Sequence, residues 1–134
     1  MNTKILLVMF LLCLSATAAP ASPGHYTLLE LASMYAADGN VAKALDIYAQ
    51  AVAREPANIK NYEARAFYFL RLNRTAEALT DFTAIIAISP SYAAGFVSRG
   101  LVYSQLEDKE RAETDFAAAC ALGDSSGCSF AGNK

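Results

Sequence analysis

Ala78-Leu79-Thr80-Asp81-Phe82, followed by Pro90, sets the organisation of this chain. Thirty-four residues earlier stand Ala44-Leu45-Asp46-Ile47-Tyr48 and Pro56, and thirty-four residues later Ala112-Glu113-Thr114-Asp115-Phe116. Tyr35, Phe69 and Tyr103 precede the three segments at one phase. Self-similarity at a period of roughly 20–50 residues marks stacked supersecondary units, each too small to bury its apolar face alone.

Within one period the apolar spacing is helical. Leu28, Leu31, Ala32 and Tyr35 recur at intervals of three and four, which places them on one helix face. Asp38-Gly39-Asn40 interrupts the run with residues that favour turns. Val41, Ala44, Leu45, Tyr48, Ala51 and Val52 then form a second stripe. Pro56 ends that helix, because the residue before a proline avoids the α region. The second unit repeats this order with Tyr62, Ala66 and Phe69, a turn at Asn73, and Ala78, Phe82, Ile85 and Ile86. Thr75 is the expected N-cap of its second helix. The third unit has Phe96, Gly100 and Tyr103, a turn at Glu107-Asp108, then Ala112, Phe116, Ala119 and Cys120. Asp124 stands in the slot of the closing prolines. The expectation is an all-α chain of helix-turn-helix units.

The columns have packing reasons. Ala32, Ala66 and Gly100, and likewise Ala44, Ala78 and Ala112, are small where two helices cross closely. The aromatics Tyr35, Phe69 and Tyr103, and Tyr48, Phe82 and Phe116, fill the space beside them, as close packing demands. Two further columns vary together. Arg65 and Arg99 replace Leu31, and Asp81 and Asp115 replace Ile47. This covariation predicts an Arg–Asp pair between the helices of the second and third units.

The ends read differently. Lys4, the apolar run Ile5 to Leu14 and Ala16-Thr17-Ala18 have the layout of an export signal, residues 1–18. Cleavage is expected after Ala18 or Ala21, and the apolar run is shorter than the ~20 residues a membrane span needs. Cys13 falls inside the discarded segment, and residues 19–24 form a linker rich in proline and small residues. The mature chain is expected in the periplasm or outside the cell, without a membrane span. Cys120 and Cys128 then remain as an even pair, a context that favours a disulfide. The eight-residue separation would contribute about 2.6 kcal/mol by the chain-entropy relation. It would staple residues 125–134, read as a short capping turn or helix plus tail, over the end of the last unit.

Composition narrows the chemistry. The 134 residues are 54% apolar and carry a formal net charge of -2, with 11 Lys and Arg against 13 Asp and Glu. That supports a packed core, and no clustered basic run signals nucleic acid. There is one histidine, His25, and no tryptophan. A serine or cysteine nucleophile needs a positioned base, and His25 lies beside the linker. Two cysteines with no nearby histidine are too few for a closed zinc site. The acids from Glu107 to Asp115 are interleaved with Lys109 and Arg111, as on a solvated helix face. No cofactor, no metal and no enzymatic activity are expected.

These repeating columns resemble the tetratricopeptide repeat family, whose period is 34 residues. The resemblance runs from His25 to about Gly123; Leu28 and Ala32 depart mildly from its aromatic and glycine positions. It implies a right-handed α-α superhelix of three repeats, at residues 25–58, 59–92 and 93–124, with a short C-terminal cap. The run from Ala119 to Cys128 is similar to the cysteine-bearing end of Sel1-like repeats, which implies the same staple. In such superhelices the first helix of each unit lines the inner groove. The groove is therefore expected at Tyr26, Leu29, Ser33 and Ala36, then Lys60, Glu63, Phe67, Leu70 and Arg71, then Ala94, Val97, Leu101, Ser104 and Gln105. These columns change chemical type between units, which a recognition surface permits and core packing does not. Leu29, Ser33, Ala64, Ala94 and Ser98 stand where family members that clamp a terminal carboxylate carry Lys, Asn or Arg, so that activity is not expected. The expected function is an exported scaffold in a bacterial envelope that binds a peptide or protein. The alternatives are a self-associating structural element, hence a homo-oligomer, and an accessory subunit of an enzyme.

Overall fold

A computed structural model describes residues 26–132; the export signal, the linker, Cys13 and His25 lie outside the described residues. Among them the chain forms seven helices. These are α1 (Leu28–Ala37), α2 (Val41–Arg54), α3 (Ile59–Arg71), α4 (Thr75–Ile88), α5 (Ala93–Gln105), α6 (Lys109–Ala121) and α7 (Ser125–Gly132). Helices α1 and α2, α3 and α4, and α5 and α6 pack as hairpins, and each hairpin packs on the next. No strand occurs among the described residues. The architecture is the all-α repeat fold.

The turns inside the three hairpins are built alike. Asn40 N–H bonds to Tyr35 O, Arg74 N–H to Phe69 O and Asp108 N–H to Tyr103 O, at 2.9–3.0 Å. Each such bond closes the end of a helix through one left-handed residue. Those residues are Gly39 (φ 75°), Asn73 (φ 57°) and Glu107 (φ 60°). Glycine and asparagine suit that conformation, whereas glutamate is strained there. Glu107→Gly should therefore raise stability by about 0.5–1 kcal/mol, because relief of strain outweighs the added freedom of the unfolded chain. Thermal unfolding checks this, and a lower midpoint would contradict it.

The helix starts differ from expectation in one place. Thr75 is the first helical residue of α4, not its cap; Arg74 holds the cap position without a side-chain bond. Arg74 instead pairs with Glu77 at 2.7 Å, with its guanidinium 4.9 Å from the Phe69 ring centre. In the third unit the same two places hold Asp108 and Arg111, a pair of reversed polarity. Arg111 nevertheless lies over Tyr103, at 4.6 Å. The ion pair keeps a guanidinium on the column aromatic in both units, although its order in the sequence is swapped. Phe69 and Tyr103, like Tyr35 in the first unit, are half-buried where a fully buried core position was expected.

The core lies between the hairpins. Ala32, Ala36, Ala44, Ile47, Tyr48 and Tyr68 form one buried cluster, and Ala66, Ala78, Phe82, Ile85 and Val102 a second. Ala36, expected in the groove, belongs to the first cluster, because it lies at the end of α1 where α2 turns back. Val41, expected in the second stripe, is exposed because α2 begins with it. The covarying columns meet as predicted. Arg65 Nε and Nη2 donate to Asp81 Oδ2 and Oδ1 at 2.8 and 2.7 Å, and Arg99 binds Asp115 in the same fork at 2.8 Å. Each pair ties the two helices of one hairpin, and Arg99 also donates to Thr83 on α4.

The third hairpin ends in its own way. Helix α2 stops at Glu55 and α4 at Ser89, both outside the α region ahead of a proline. Helix α6 stops at Gly123 (φ 89°), with Asp124 N–H bonded to Ala119 O at 3.0 Å. Asp124 Oδ1 then accepts from Gly127 N–H at 2.9 Å and so caps α7. The Sγ atoms of Cys120 and Cys128 stand 1.97 Å apart across the α6–α7 junction.

Candidate functional site

The inner face expected from the spacing lies on α1, α3 and α5, and its members have distinct surroundings. Tyr26 precedes α1 and is exposed. Leu29 is half-buried against the first core cluster. Ser33 Oγ donates to Leu29 O at 2.8 Å and sits 3.4 Å from the Tyr48 hydroxyl. Tyr26, Leu29 and Ser33 share an open hollow of about 430 Å³ with Glu30 and Met34. Tyr26 and Leu29 also border a second cleft of about 430 Å³, against Ala51, Arg54 and Asn61.

On α3 the charged residues are already engaged. Lys60 Nζ lies 3.1 Å from Glu63 Oε2, and the Tyr92 hydroxyl donates to Glu63 Oε1 at 2.9 Å. The bond to Glu63 raises the Lys60 ammonium above its ordinary value. Burial first, and then the bond to Glu63, raise the Tyr92 phenol. Both shifts run away from neutrality, so Lys60 stays an ammonium and Tyr92 a neutral phenol. Arg71 lies 5.6 Å from the Tyr68 ring centre, within cation–π reach. Leu70 packs half-buried against the second core. Phe67 remains 48% exposed, with one edge on Phe82 at 5.6 Å between ring centres.

On α5, Ala94 and Val97 are half-buried, and Ser104 and Gln105 are exposed. Leu101 is 43% exposed. The structure thus groups Tyr26, Leu29 and Ser33, and separately Lys60 and Glu63. It does not gather all of the expected residues into one pocket, since the two hollows beside Tyr26 include no residue of α5. The first helices of the hairpins thus carry exposed apolar side chains, Phe67 and Leu101, and an ion-paired polar cluster, Lys60 with Glu63.

Two residues here escaped the sequence reading. Tyr92 stands thirty-four residues after Asn58, which caps α3 by accepting from Lys60 N–H at 3.1 Å. Tyr92, the N-cap residue of α5, gives up that cap and reaches back to Glu63 on α3. The available signal was an aromatic in a capping slot. Met34 is 47% exposed, although its column mates Tyr68 and Val102 are buried against the preceding units. No unit precedes α1 among the described residues, so Met34 has no such cover.

Among the described residues no three His, Cys, Asp or Glu side chains are placed to hold a metal. No described helix is long and apolar enough to cross a membrane.

Comparison with known proteins agrees with this geometry. The family model described as tetratricopeptide repeat matches residues 93–122. A tetratricopeptide repeat protein from Parabacteroides merdae is similar at 28% identity and TM-score 0.69, over 84% of this chain and 46% of that one. The tetratricopeptide domain of P58(IPK) is similar at 30% identity and TM-score 0.64, over 78% of this chain and 29% of that one. The second such domain of Spaghetti (RPAP3), bound to an HSP90 peptide, is 25% identical with TM-score 0.61, over 71% of this chain and 88% of that one. This chain thus spans less than half the length of the first two and most of the third. No curated protein matches its sequence.

Proposed function

We propose, proceeding from its membership of the tetratricopeptide repeat family, that this chain is a protein-interaction scaffold and not an enzyme. A peptide or protein segment would lie along α1, α3 and α5 and place apolar side chains against Tyr26, Phe67 and Leu101. The observation that carries this reading is the exposure of Phe67 and Leu101 on the first helices of adjacent hairpins. Apolar groups held out in water on a folded surface favour a partner that covers them. The peptide bound by the similar Spaghetti domain supports the same use of the fold. The Lys and Arg positions of a carboxylate clamp are filled here by other residues, so an internal segment is the better ligand than a free C-terminus. The export-type N-terminus supports a location in a bacterial envelope.

Photocrosslinking from position 67 in the native compartment tests this. One protein should be captured repeatedly, and capture should fall at least fivefold with Leu101→Ser. If position 67 captures nothing beyond a probe at Thr80, an exposed residue of α4, the groove reading is wrong.

Exposed Met34 favours a second reading, a self-associating element. Light scattering separates the two, because a monomer at all concentrations removes the second.

A further inference from the structure

We propose that the Cys120–Cys128 bond is a reducible latch. It holds α7 in the slot where a following unit's first helix would dock, and a dithiol reductant would open that end of the stack.

The slot is defined by repetition. At the first junction Asn61 on α3 donates through Nδ2 to Ala51 O on α2 at 2.9 Å. At the second, Gly95 on α5 lies so near α4 that a Cβ there would sit 3.1 Å from Ile85 Cγ2. Ala51, Ile85 and Ala119 are thirty-four residues apart. The visitor at Ala119 is Gly127 of α7, where a Cβ would meet Ala119 Cβ at 2.6 Å, Cys120 N at 2.9 Å and Phe116 O at 3.0 Å. Helix α7 therefore takes at the third hairpin the place that α3 and α5 take at the first two.

Helix α7 packs closely on α6 at Gly127, but few of its side chains are buried there. Helix α7 has eight residues, fewer than an isolated helix needs to persist in water. Two of them are glycines, and Ser125, Ser126 and Ser129 are exposed. Its one aromatic contact is Phe130 against Phe116, at 4.9 Å between ring centres, and Phe130 is itself exposed. Gly127 is the one buried residue of α7. The sulfur bridge is the covalent tie between α7 and α6, and its Cys128 end is exposed while Cys120 is half-buried.

Reduction follows ordinary exchange. A thiolate of the dithiol attacks Cys128 Sγ, forms a mixed disulfide and expels Cys120 as a thiolate, which takes a proton from water. The reductant's second thiolate then attacks its own sulfur in the mixed bond and expels Cys128. Two electrons have passed to the protein, and the reductant leaves as a disulfide. Phe116 and Ala119 then lose their cover, and the end of the stack becomes an apolar surface.

Hydrogen exchange with thiol counting, on oxidised and dithiol-treated protein, tests the latch. Reduction should speed exchange of the α7 amides about a hundredfold, by the chain-entropy relation for so short a loop, and leave α1 to α5 unchanged. Cys128→Ser should match the reduced state. Gly127→Ala, with its bond intact, should also loosen α7, because the added methyl meets backbone. Four results would overturn the proposal: two free thiols in protein from its native compartment, a bond that resists reduction until the whole chain unfolds, α7 amides that stay protected after reduction, or unchanged α7 exchange in Gly127→Ala.

Discussion

Arg65→Leu alone should destabilise the chain by about 3 kcal/mol, and adding Asp81→Ile should return most of that loss. Asp81 is 2% exposed, so removal of its partner leaves an ionised carboxylate buried without compensation. Breaking such a pair typically costs about 3–5 kcal/mol, and the lower end applies here because the Arg65 side chain is 21% exposed and water reaches its rim. Asp81→Ile alone should cost less, about 1–2 kcal/mol, since the freed guanidinium can turn toward solvent. The double variant copies the first unit, where Leu31 packs beside buried Ile47 at the same two columns. Apolar replacement of a buried pair is often neutral, so the variant should lie within about 1 kcal/mol of the parent. The bond to Asp81 raises the Arg65 guanidinium beyond its already high value. The guanidinium's share of the stabilisation is therefore present below its ordinary range and is lost as pH rises through the raised value. A urea double-mutant cycle at neutral pH measures all four states. If the double variant loses the sum of the two single losses, the two side chains are not coupled and the pairing argument fails.

Phe82→Ala should cost about 3–5 kcal/mol, a large part of the stability of a domain this size. The ring is wholly buried at the centre of the second core cluster, where α3, α4 and α5 meet. Its removal takes away transfer free energy and leaves a cavity that the small neighbours Ala66 and Ala78 do not fill. The change also reaches the surface, because Phe67 rests its edge on Phe82. Phe67→Ala, by contrast, removes a ring that is half in water and should cost under about 1 kcal/mol. The two substitutions therefore separate stability from binding. Phe67→Ala should abolish partner capture in a fully folded protein, and Phe82→Ala should weaken both. Equal losses of stability would show that Phe67 is a core residue, which would remove it from the proposed binding surface.

The repeat columns made the helices and their pairing readable, because a small residue beside an aromatic at constant phase has one packing solution. The Arg–Asp ties were readable for a related reason. Charge appears on both columns or on neither, as burial requires of a pair. The candidate site was less readable. Spacing places Leu29 and Leu70 on the inner face, yet both also lean on core clusters. A helix face shared between groove and neighbour does not divide cleanly by register. Tyr92 escaped notice because its role depends on Glu63 on α3, across twenty-nine residues of chain.

By itself the sequence determined the period, the helical hairpins, the crossing points at Ala32, Ala66 and Gly100, and the cysteines available to close the end. Those follow from local spacing and from side-chain volume. Only the tertiary structure decided that Ala36 is core and Met34 is not, that Lys60 is already neutralised by Glu63, and that α7 sits in the slot used by α3 and α5. The physical reason is that exposure and charge pairing depend on which unit lies alongside. A residue at one phase of the repeat is buried when a neighbour covers it, as with Tyr68, and exposed when no described unit does, as with Met34.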